Sequence, residues 1–403
     1  MTAPADPVSV VHRHLIHDGA PAGPRTPVVH RRHGARVEAR DGRVLLDAAS
    51  GGFGSHPRVE AAIADQARRV ALSSRILVSR PLAGAVAALA EFCPGPLSVS
   101  YLCNSGDEAL DSTLKLAKGT HPRRPYVLGI RGEDFGALSH GQALGRGHAL
   151  LPGAPFRPRT VSAQAPEELL EQVDESVAAV VLAPAAPGRP LGRLPLEWWV
   201  ALRDRCHRTD TLLVLDERHT APARLGRGLG TGALGIFPDA LVLGDTLGAD
   251  AVPVGVAVLT ASAYQRVYGR RNPSLHGSTF GANPLSAAAV SAVLDAVDAD
   301  DLAARQREFE HAALRLREEL TGLGGACREL HADGSLLWVR TRDAAAAGRL
   351  AGALAEREVL VRDPVADVVA LTPPLTAGRE DTDQILQRLA ESLKALDTRE
   401  AGQ

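Results

Sequence analysis

The chain has 403 residues, of which 45% are hydrophobic and 23% charged, and its formal net charge is −2. These values predict an ordinary globular protein with enough chain for two or three domains, and without a basic excess we expect no nucleic-acid partner. The apolar runs are too short to span a membrane, and the first residues lack a secretory signal pattern. Four cysteines at unrelated spacings favour reduced thiols in the cytoplasm, and we expect no metal site.

Lysine is rare in this sequence. Among 45 basic residues, only Lys115, Lys118 and Lys394 are lysines. An arginine excess of this kind is typical of a gene with high GC content. Any chemistry that requires a primary amine therefore has only three candidate side chains.

The first part of the chain has weak patterns. Residues 1–40 are rich in proline, histidine and arginine, which predicts an arm with little regular structure. Residues 35–47 read as two short strands around Asp41 and Gly42, the signal of a β-hairpin. Apolar positions three and four residues apart predict helices over 58–69 and 81–92.

From residue 98 onward, short apolar runs alternate with helical patterns. Strands are predicted at 98–103, 126–130, 178–183, 212–215, 240–243 and 255–259, with helices at 108–118, 168–175 and 196–208. Because buried strands that alternate with helices form parallel sheets, this part predicts an α/β domain with a mostly parallel central sheet. Elements at 284–298, 301–323, 335–340, 359–362 and 382–396 complete the pattern. The predicted organisation is an N-terminal arm (1–40), a small α+β domain from both chain ends (41–60 and 300–403) and a large α/β domain (61–299).

Two segments have the pattern of ligand-binding turns. Residues 101–109 (YLCNSGDEA) read as a strand, a turn of small residues and a helix start, whose backbone N–H groups attract anions. The same pattern also fits an ordinary turn in which Ser105 caps the helix. Residues 212–217 (LLVLDE) read as a strand that ends in two carboxylates, at the edge where α/β sheets bind ligands. A carboxylate there also fits a plain ion pair with an arginine.

Several motifs, in this order, resemble those of one enzyme family. They are 42–47 (GRVLLD), 55–57 (SHP), 104–109 (NSGDEA), 216–217 (DE), 224–227 (RLGR), 238–244 (PDALVLG), 276–284 (HGSTFGANP) and 373–375 (PPL). They resemble class III aminotransferases, the ornithine, GABA and ω-amino-acid group of enzymes that use pyridoxal phosphate (PLP). The resemblance covers nearly the whole chain, and it implies the fold-type I PLP-transferase fold and a homodimer with the cofactor near the subunit interface.

The resemblance also implies roles for individual residues. Asp216 would lie against the pyridine nitrogen of PLP, where a carboxylate keeps that nitrogen protonated. The turn Ser105, Gly106 and Asp107 would meet the phosphate, and Thr279 would join it from the partner subunit.

At the decisive position the sequence departs from the family. The family's lysine, which binds the cofactor covalently and carries the 1,3-proton shift, is replaced by Asp245, and a carboxylate cannot condense with an aldehyde. Ile130 and Arg131 replace the aromatic and histidine pair that stacks on the ring. Asp107 places a negative charge where the phosphate dianion would bind.

Further replacements change the walls of the cleft. Arg218 and His219 stand where the family has a valine over the ring and a glutamine. Ala183 replaces a glutamate, and Ala370 replaces the arginine that binds a substrate carboxylate. We therefore expect no covalently bound cofactor, and we expect PLP or pyridoxamine phosphate (PMP) without a covalent bond to be disfavoured. The new charges are expected to pair with one another or with a small-molecule or peptide ligand.

Three functions remain open from the sequence. The first is a repurposed or non-catalytic homologue, a pseudoenzyme of bacterial natural-product biosynthesis that pairs with itself, with an active aminotransferase relative or with a biosynthetic partner protein. The second is a cofactor-independent or PMP-using enzyme with Asp245, Arg131 and His219 in acid–base roles. The third is a genuine PLP aminotransferase in which Asp245 is a substitution.

Overall fold

The structure is a computed structural model that describes residues 6–15, 26–74, 76–146, 156–187, 194–269, 272, 276–320 and 327–401. Parts of two predicted segments, 1–5 and 16–25 of the arm and 321–323 of the element at 301–323, lie outside the described residues. Within the described ranges, no helix has both the length and the apolar composition that a membrane crossing requires.

The described residues form helices and strands in alternation. The helices are α1 (Pro7–His14), α2 (Pro57–Arg69), α3 (Arg80–Phe92), α4 (Gly106–Thr120), α5 (Ser139–Arg146), α6 (Pro166–Gln172), α7 (Leu196–Arg208), α8 (Ala261–Val267), α9 (Pro284–Ala299), α10 (Leu302–Glu319), α11 (Ala344–Glu356) and α12 (Arg379–Ala401). The strands are β1 (Val29–His33), β2 (Arg36–Ala39), β3 (Val44–Asp47), β4 (Leu97–Cys103), β5 (Tyr126–Ile130), β6 (Arg157–Val161), β7 (Val177–Leu182), β8 (Leu212–Glu217), β9 (Ala240–Leu243), β10 (Gly255–Thr260), β11 (Glu329–Asp333), β12 (Leu336–Arg340), β13 (Val359–Leu360) and β14 (Val368–Leu371).

A seven-stranded sheet forms the centre of the molecule, in the order β4-β10-β9-β8-β7-β5-β6. All neighbouring strands are parallel except β10, which is antiparallel to both β4 and β9. Every residue of β7, β8, β9 and β10 is buried, because helices cover both faces of the sheet. Continuous runs of valine, leucine and alanine suit strands in such a position. The predicted α/β fold with a mostly parallel central sheet is confirmed.

Residues from both chain ends share a second hydrophobic core. The N-terminal sheet has the order β1-β2-β3-β13, and β11, β12 and β14 form a three-stranded antiparallel sheet. Leu46 of β3, Phe309 of α10, Leu350 of α11 and Leu389 of α12 are buried together there. The hairpin expected at 35–47 forms as β2 and β3, and Gly42 in the turn has a φ of +87°, which glycine adopts without strain.

The start of the chain differs from the prediction of an irregular arm. Residues 7–14 form helix α1, which has no buried residue, and 29–33 form β1 at the edge of the N-terminal sheet. Arg32 of β1 pairs with Asp47 and Asp250, with N–O distances of 2.8 and 3.3 Å. The polar composition of β1 therefore reflects an exposed edge strand held by ion pairs, a case in which apolar periodicity gives no signal.

Candidate active-site cleft

Four strand ends meet along one edge of the central sheet. Strands β5, β8 and β9 belong to its parallel part, and β4 runs in the same direction because β10 is antiparallel to both β4 and β9. Their carboxyl ends are followed by Arg131, Arg218, Asp245 and the start of α4. Side chains that sequence analysis selected from distant segments are thus brought to one edge, the position at which open α/β sheets bind ligands.

A carboxylate binds the N-terminus of α4. Ser105 caps the helix, and its Oγ accepts a hydrogen bond from the N–H of Glu108 at 3.1 Å. The next N–H, that of Gly106, donates to Oδ1 of Asp245 at 2.8 Å. A Cβ on Gly106 would lie 2.9 Å from Cδ of Arg218 and 3.0 Å from Cα of Gly244, so only glycine fits here. Asp245 therefore takes the position of an anion at this helix N-terminus.

Arg218 forms the centre of an ion-pair network. Its Nε donates to both carboxylate oxygens of Asp216 at 3.0 Å, and a terminal nitrogen donates to Oδ2 of Asp216 at 2.9 Å. The other terminal nitrogen pairs with Asp107, and the guanidinium also donates to the carbonyl oxygen of Asp134 at 2.7 Å. The side chains of Arg218 and Asp216 are each only 3% exposed, so this is a buried pair with several hydrogen bonds.

The proton affinities in the cleft reflect this network. Burial lowers the pKa of Arg218, but the charges of Asp216 and Asp107 outweigh burial and hold that pKa above its ordinary value. Partial burial raises the pKa of Asp245, and nearby Asp107 raises it further. The pKa of His219 is lowered, first by partial removal of its ring from solvent and then by the charge of Arg218. Asp245 thus holds a proton more readily than an ordinary aspartate, and His219 less readily than an ordinary histidine.

Beside this network lies an apolar chamber of about 210 Å³. Asp216 and His219 lie on one side of it, and the small or apolar side chains that line it include Ala183, Ala185, Leu336, Val368 and Ala370. Nε2 of His219 lies 3.9 Å from Oδ2 of Asp134, at the limit of an ion pair. The chamber joins the carboxyl edge of the central sheet to β12 and β14.

The structure separates some of the predicted site residues. Arg131 lines a different pocket with Gln164 and Arg340, apart from Asp245 and Arg218. Ile130 is fully buried in the main hydrophobic core. Thr279 is exposed and lines an open pocket with Asn104 and Glu108 at the outer end of the α4 turn. Ser105, Gly106, Asp107, Asp216, Arg218, His219 and Asp245 are the predicted residues that lie together around the start of α4 and the end of β8.

Two important residues were not assigned a role from the sequence. Arg224 is 2% exposed and donates hydrogen bonds to the carbonyl oxygens of Gly51, Gly52 and Pro373, so it ties the two chain ends to the cleft. Burial lowers the pKa of Arg224 to about 10. Asp134, which binds Arg218 through its carbonyl oxygen, was also missed. The position of Arg224 in the motif 224–227 could have indicated its importance. The contact of Asp134 could not be predicted, because it is made by a backbone carbonyl oxygen that every residue has.

The sheet order, the carboxylate at the end of β8 and the turn into α4 define the fold of type I PLP transferases. A family model described as "Aminotransferase class-III" matches residues 20–393, and the chain belongs to that family.

Three relatives place the chain within the family. It is 30% identical over 373 residues to the acetylornithine aminotransferase of Methanopyrus kandleri, with 90% of this chain and 93% of the relative covered. It is 31% identical to the putrescine aminotransferase of Pectobacterium atrosepticum, with 86% and 78% covered. A solved ornithine aminotransferase from Toxoplasma gondii has a TM-score of 0.84 and 26% identity, with 97% of this chain and 94% of that chain covered.

The expectation about the cofactor is wrong. We expected no covalent cofactor and disfavoured PLP or PMP, yet the chain belongs to a PLP family, and the Toxoplasma gondii structure is described with PLP at its active site. The expectation gave too much weight to the one covalent bond that a lysine would form with the cofactor. A lysine contributes a single contact to such a site, while the start of α4 and Asp216 at the end of β8 come from the fold and are present here.

The side chains of this structure show what PLP would have to displace. Asp216 is bonded to Arg218, and the N–H of Gly106 is bonded to Asp245. As arranged, these groups do not fit a pyridine nitrogen and a phosphate, because both contacts are already made within the protein. PLP would require Arg218 and Asp245 to give up these bonds. Among the described residues, no group of three or more His, Cys, Asp or Glu side chains could hold a metal ion.

Proposed function

We propose that this chain is a class III aminotransferase homologue in which Asp245 occupies the position of the catalytic lysine, and that the isolated protein does not catalyse amino-group transfer. In this proposal the cleft has been repurposed to bind a ligand in bacterial natural-product biosynthesis. The single observation that carries the proposal is the geometry of Asp245. It follows β9, and its carboxylate accepts a hydrogen bond from the N–H of Gly106 at the start of α4.

The position of the three lysines supports this proposal. Lys115 and Lys118 lie on α4 beyond its first turns, and Lys394 lies on α12. Nζ of Lys118 donates to the carbonyl oxygen of Arg124, at the far end of α4 from the cleft. None of them follows β9, where a primary amine would be needed for the chemistry that the family's lysine performs.

The proposal includes a homodimer that works in the cytoplasm. A dimer is supported by a group of exposed apolar side chains next to the Thr279 loop, because large apolar patches on a protein surface mark contacts with partners. Its members include Leu72, Ile76, Leu77, Val78 and Phe280. The cytoplasm is supported by the four free cysteines, three of which are buried. An active aminotransferase relative or another biosynthetic protein is an alternative partner for the same surface.

A second candidate function is acid–base catalysis in the same cleft. It is favoured by the opposite pKa shifts of Asp245 and His219, because a carboxyl group with a raised pKa keeps a proton more readily and an imidazole with a lowered pKa stays neutral and able to accept one. Arg131, which was grouped with them from the sequence, lines another pocket and is left out of this candidate.

An amino-transfer assay tests the main proposal. The purified protein, supplied with PLP, is incubated with acetylornithine, ornithine or putrescine and a 2-oxo acid acceptor, and the amino acid product is measured. We expect no product beyond that of PLP alone. Transfer by the unaltered protein would show instead that it is a genuine aminotransferase.

Variants of one position sharpen this assay. Asp245→Lys, alone and combined with Arg218→Val, returns the family's residues to the cleft. Asp204→Lys, which changes an exposed carboxylate on α7, is the matched control. Transfer that appears in an Asp245→Lys protein and not in the control would support the role of position 245.

A further inference from the structure

A polar pocket of about 220 Å³ lies next to the apolar chamber. Its polar side chains are those of Arg131, Ser162, Gln164, Arg340 and Asp367. It shares part of its wall with the apolar chamber, since Pro187, Val365 and Val368 line both. The polar pocket and the apolar chamber are therefore direct neighbours, separated by no more than these shared side chains.

Arg131 is the cation of this pocket that has no charged partner among the described residues. Its backbone N–H donates to the carbonyl oxygen of Val161 at 2.8 Å, whereas its side chain is exposed and makes no ion pair there. Arg340, the other arginine, is paired with Asp367 at 3.2 Å and Glu329 at 3.4 Å. A guanidinium with five donors in a fixed planar geometry, left without a carboxylate, is the expected receptor for one.

The arginines that line the apolar chamber differ from Arg131 because their guanidinium groups are bonded to the backbone. Arg224 and Arg362 both line it, but each donates to backbone carbonyl oxygens, Arg362 to those of Ala49 and Ser50 at 2.8 and 3.1 Å. Ala370, where the family resemblance implied a carboxylate-binding arginine, contributes only a methyl group. Anion recognition and the apolar wall are therefore separated in space in this protein.

We propose that Arg131 is the anion-binding residue of the cleft, and that the ligand carries a carboxylate on Arg131 and an apolar segment in the adjoining chamber. This inference rests on the proposed role of the cleft as a binding site. A single carboxylate is favoured over a phosphate dianion because Asp367, Glu133 and Asp134 line the same two pockets and repel a second negative charge.

Unreactive probes test the inference separately from the amino-transfer assay. Binding of butanoate, hexanoate and octanoate to the full chain is measured by calorimetry or ligand-observed NMR, beside octylamine and octyl phosphate. We expect affinity for the carboxylates to rise about fourfold with each added methylene group that enters the chamber. Octylamine and octyl phosphate are expected to bind more weakly than octanoate.

Two variants assign the two ends of the probe. Arg131→Gln is expected to weaken octanoate about tenfold and to leave octylamine unchanged, while Arg123→Gln, an exposed arginine after α4, changes neither. Ala370→Leu, which fills the chamber, is expected to weaken octanoate more than butanoate. Absence of octanoate binding, equal binding of octylamine, stronger binding of octyl phosphate, or full octanoate affinity in Arg131→Gln would each overturn the inference. Octylamine is a primary amine that an aminotransferase with PLP can use as a donor, so all probes are measured without added PLP. Under that condition these results stand whether or not the protein proves to be an aminotransferase.

Discussion

Arg218 and Asp216 form a buried ion pair in which each charge is stabilised by the other and not by solvent. Removing two charges from solvent costs several kcal/mol per ion, and close hydrogen-bonded geometry offsets that cost only while both partners are present. Here one guanidinium donates three bonds to Asp216, the backbone N–H of Arg218 donates a fourth, and the guanidinium also reaches Asp107 and the Asp134 carbonyl oxygen. Arg218 thus joins the end of β8, the first turn of α4 and the loop after β5.

Removing one partner of this pair should be costly. Arg218→Met is expected to lower the free energy of unfolding by about 3–5 kcal/mol, because it leaves the carboxylate of Asp216 buried without a counter-charge. Urea unfolding followed by circular dichroism measures the loss. The double variant Arg218→Met with Asp216→Asn should lose less, since no charge remains buried. A single variant as stable as the unaltered protein would contradict this reading of the network.

Asp245 should respond to pH in a defined direction. Its pKa is raised in the folded protein by burial and by Asp107, so the folded state binds this proton more tightly than the unfolded state does. The ionised carboxylate is then destabilising above the raised pKa, and the effect disappears as the pH falls toward about 3.9, the ordinary value. Asp245→Asn should be more stable than the unaltered protein at pH 7, and the gain should vanish in acid. Thermal unfolding from pH 3 to 8 measures the gain, and a constant difference would contradict the shift.

At the scale of elements, α4 contacts the cleft residues through its first turn and helix α5 through its next turn. Its first turn binds Asp245 and Arg218, while Asp111 on the next turn binds the start of α5. Oδ1 of Asp111 accepts from the N–H of His140 at 3.0 Å, and Oδ2 lies 2.7 Å from its Nδ1. Burial raises the pKa of Asp111, but the bonds from His140 outweigh it and the net shift is downward.

The contact between α4 and α5 gives a second prediction on pH. A carboxyl group with a lowered pKa adds stability above its unfolded value of about 3.9, and this stability is lost as the pH falls through the folded pKa. Asp111→Asn should therefore cost about 1–2 kcal/mol at pH 7. The difference from the unaltered protein should shrink below pH 4. Urea unfolding at pH 7 and pH 3 tests this, and an equal loss at both values would count against the bond.

Sequence patterns predicted the elements in which apolar residues form an unbroken run or recur at helical spacing. Strands β7 and β9 are continuous apolar runs, β8 is apolar up to its two terminal carboxylates, and α7 was predicted with its observed ends. Strand β6 was missed because it is polar and contains Pro158, which the outer position of β6 in the sheet tolerates. Helix α5 was missed because it contains two glycines. One of them, Gly141, has no room for a side chain, since a Cβ would lie 1.8 Å from the carbonyl oxygen of Phe135.

The candidate site was only partly accessible to sequence reasoning. The charges at Asp107, Arg218 and Asp245 were recognised from motif positions, because each replaces a different residue type in a family pattern. We expected these charges to pair with one another or with a ligand, but the sequence did not give the partner of each charge, since that depends on how β8, β9 and α4 converge. Arg131 was grouped with them because it is also charged and follows a strand, but β5 and β8 are separated by β7 in the sheet. Sequence patterns identify the edge of a sheet more readily than a distance along that edge.

At the scale of the whole molecule, the exposed apolar group beside the Thr279 loop is the surface on which the proposed dimer is tested. Val78 is 88% exposed and Ile76 is 89% exposed, which is unusual for side chains of this type. If this surface forms the proposed homodimer, Val78→Asp should convert a dimer to a monomer, because an unpaired carboxylate would be buried in the contact. Light scattering after size-exclusion chromatography measures the mass. Val200→Asp on α7 is the control, and a dimer that persists in Val78→Asp would exclude this surface as the contact.

In the proposed function, the carboxylate of Asp245 stands where the family's chemistry needs an amine. The family resemblance assigns to that amine the movement of a proton on the substrate carbon next to nitrogen. We would follow exchange of this proton in ornithine, dissolved in D₂O with PLP and the purified protein, by NMR. The account predicts exchange no faster than with PLP alone. Protein-dependent exchange at the rate of ordinary enzymes, on the order of 1–10³ per second, would contradict it.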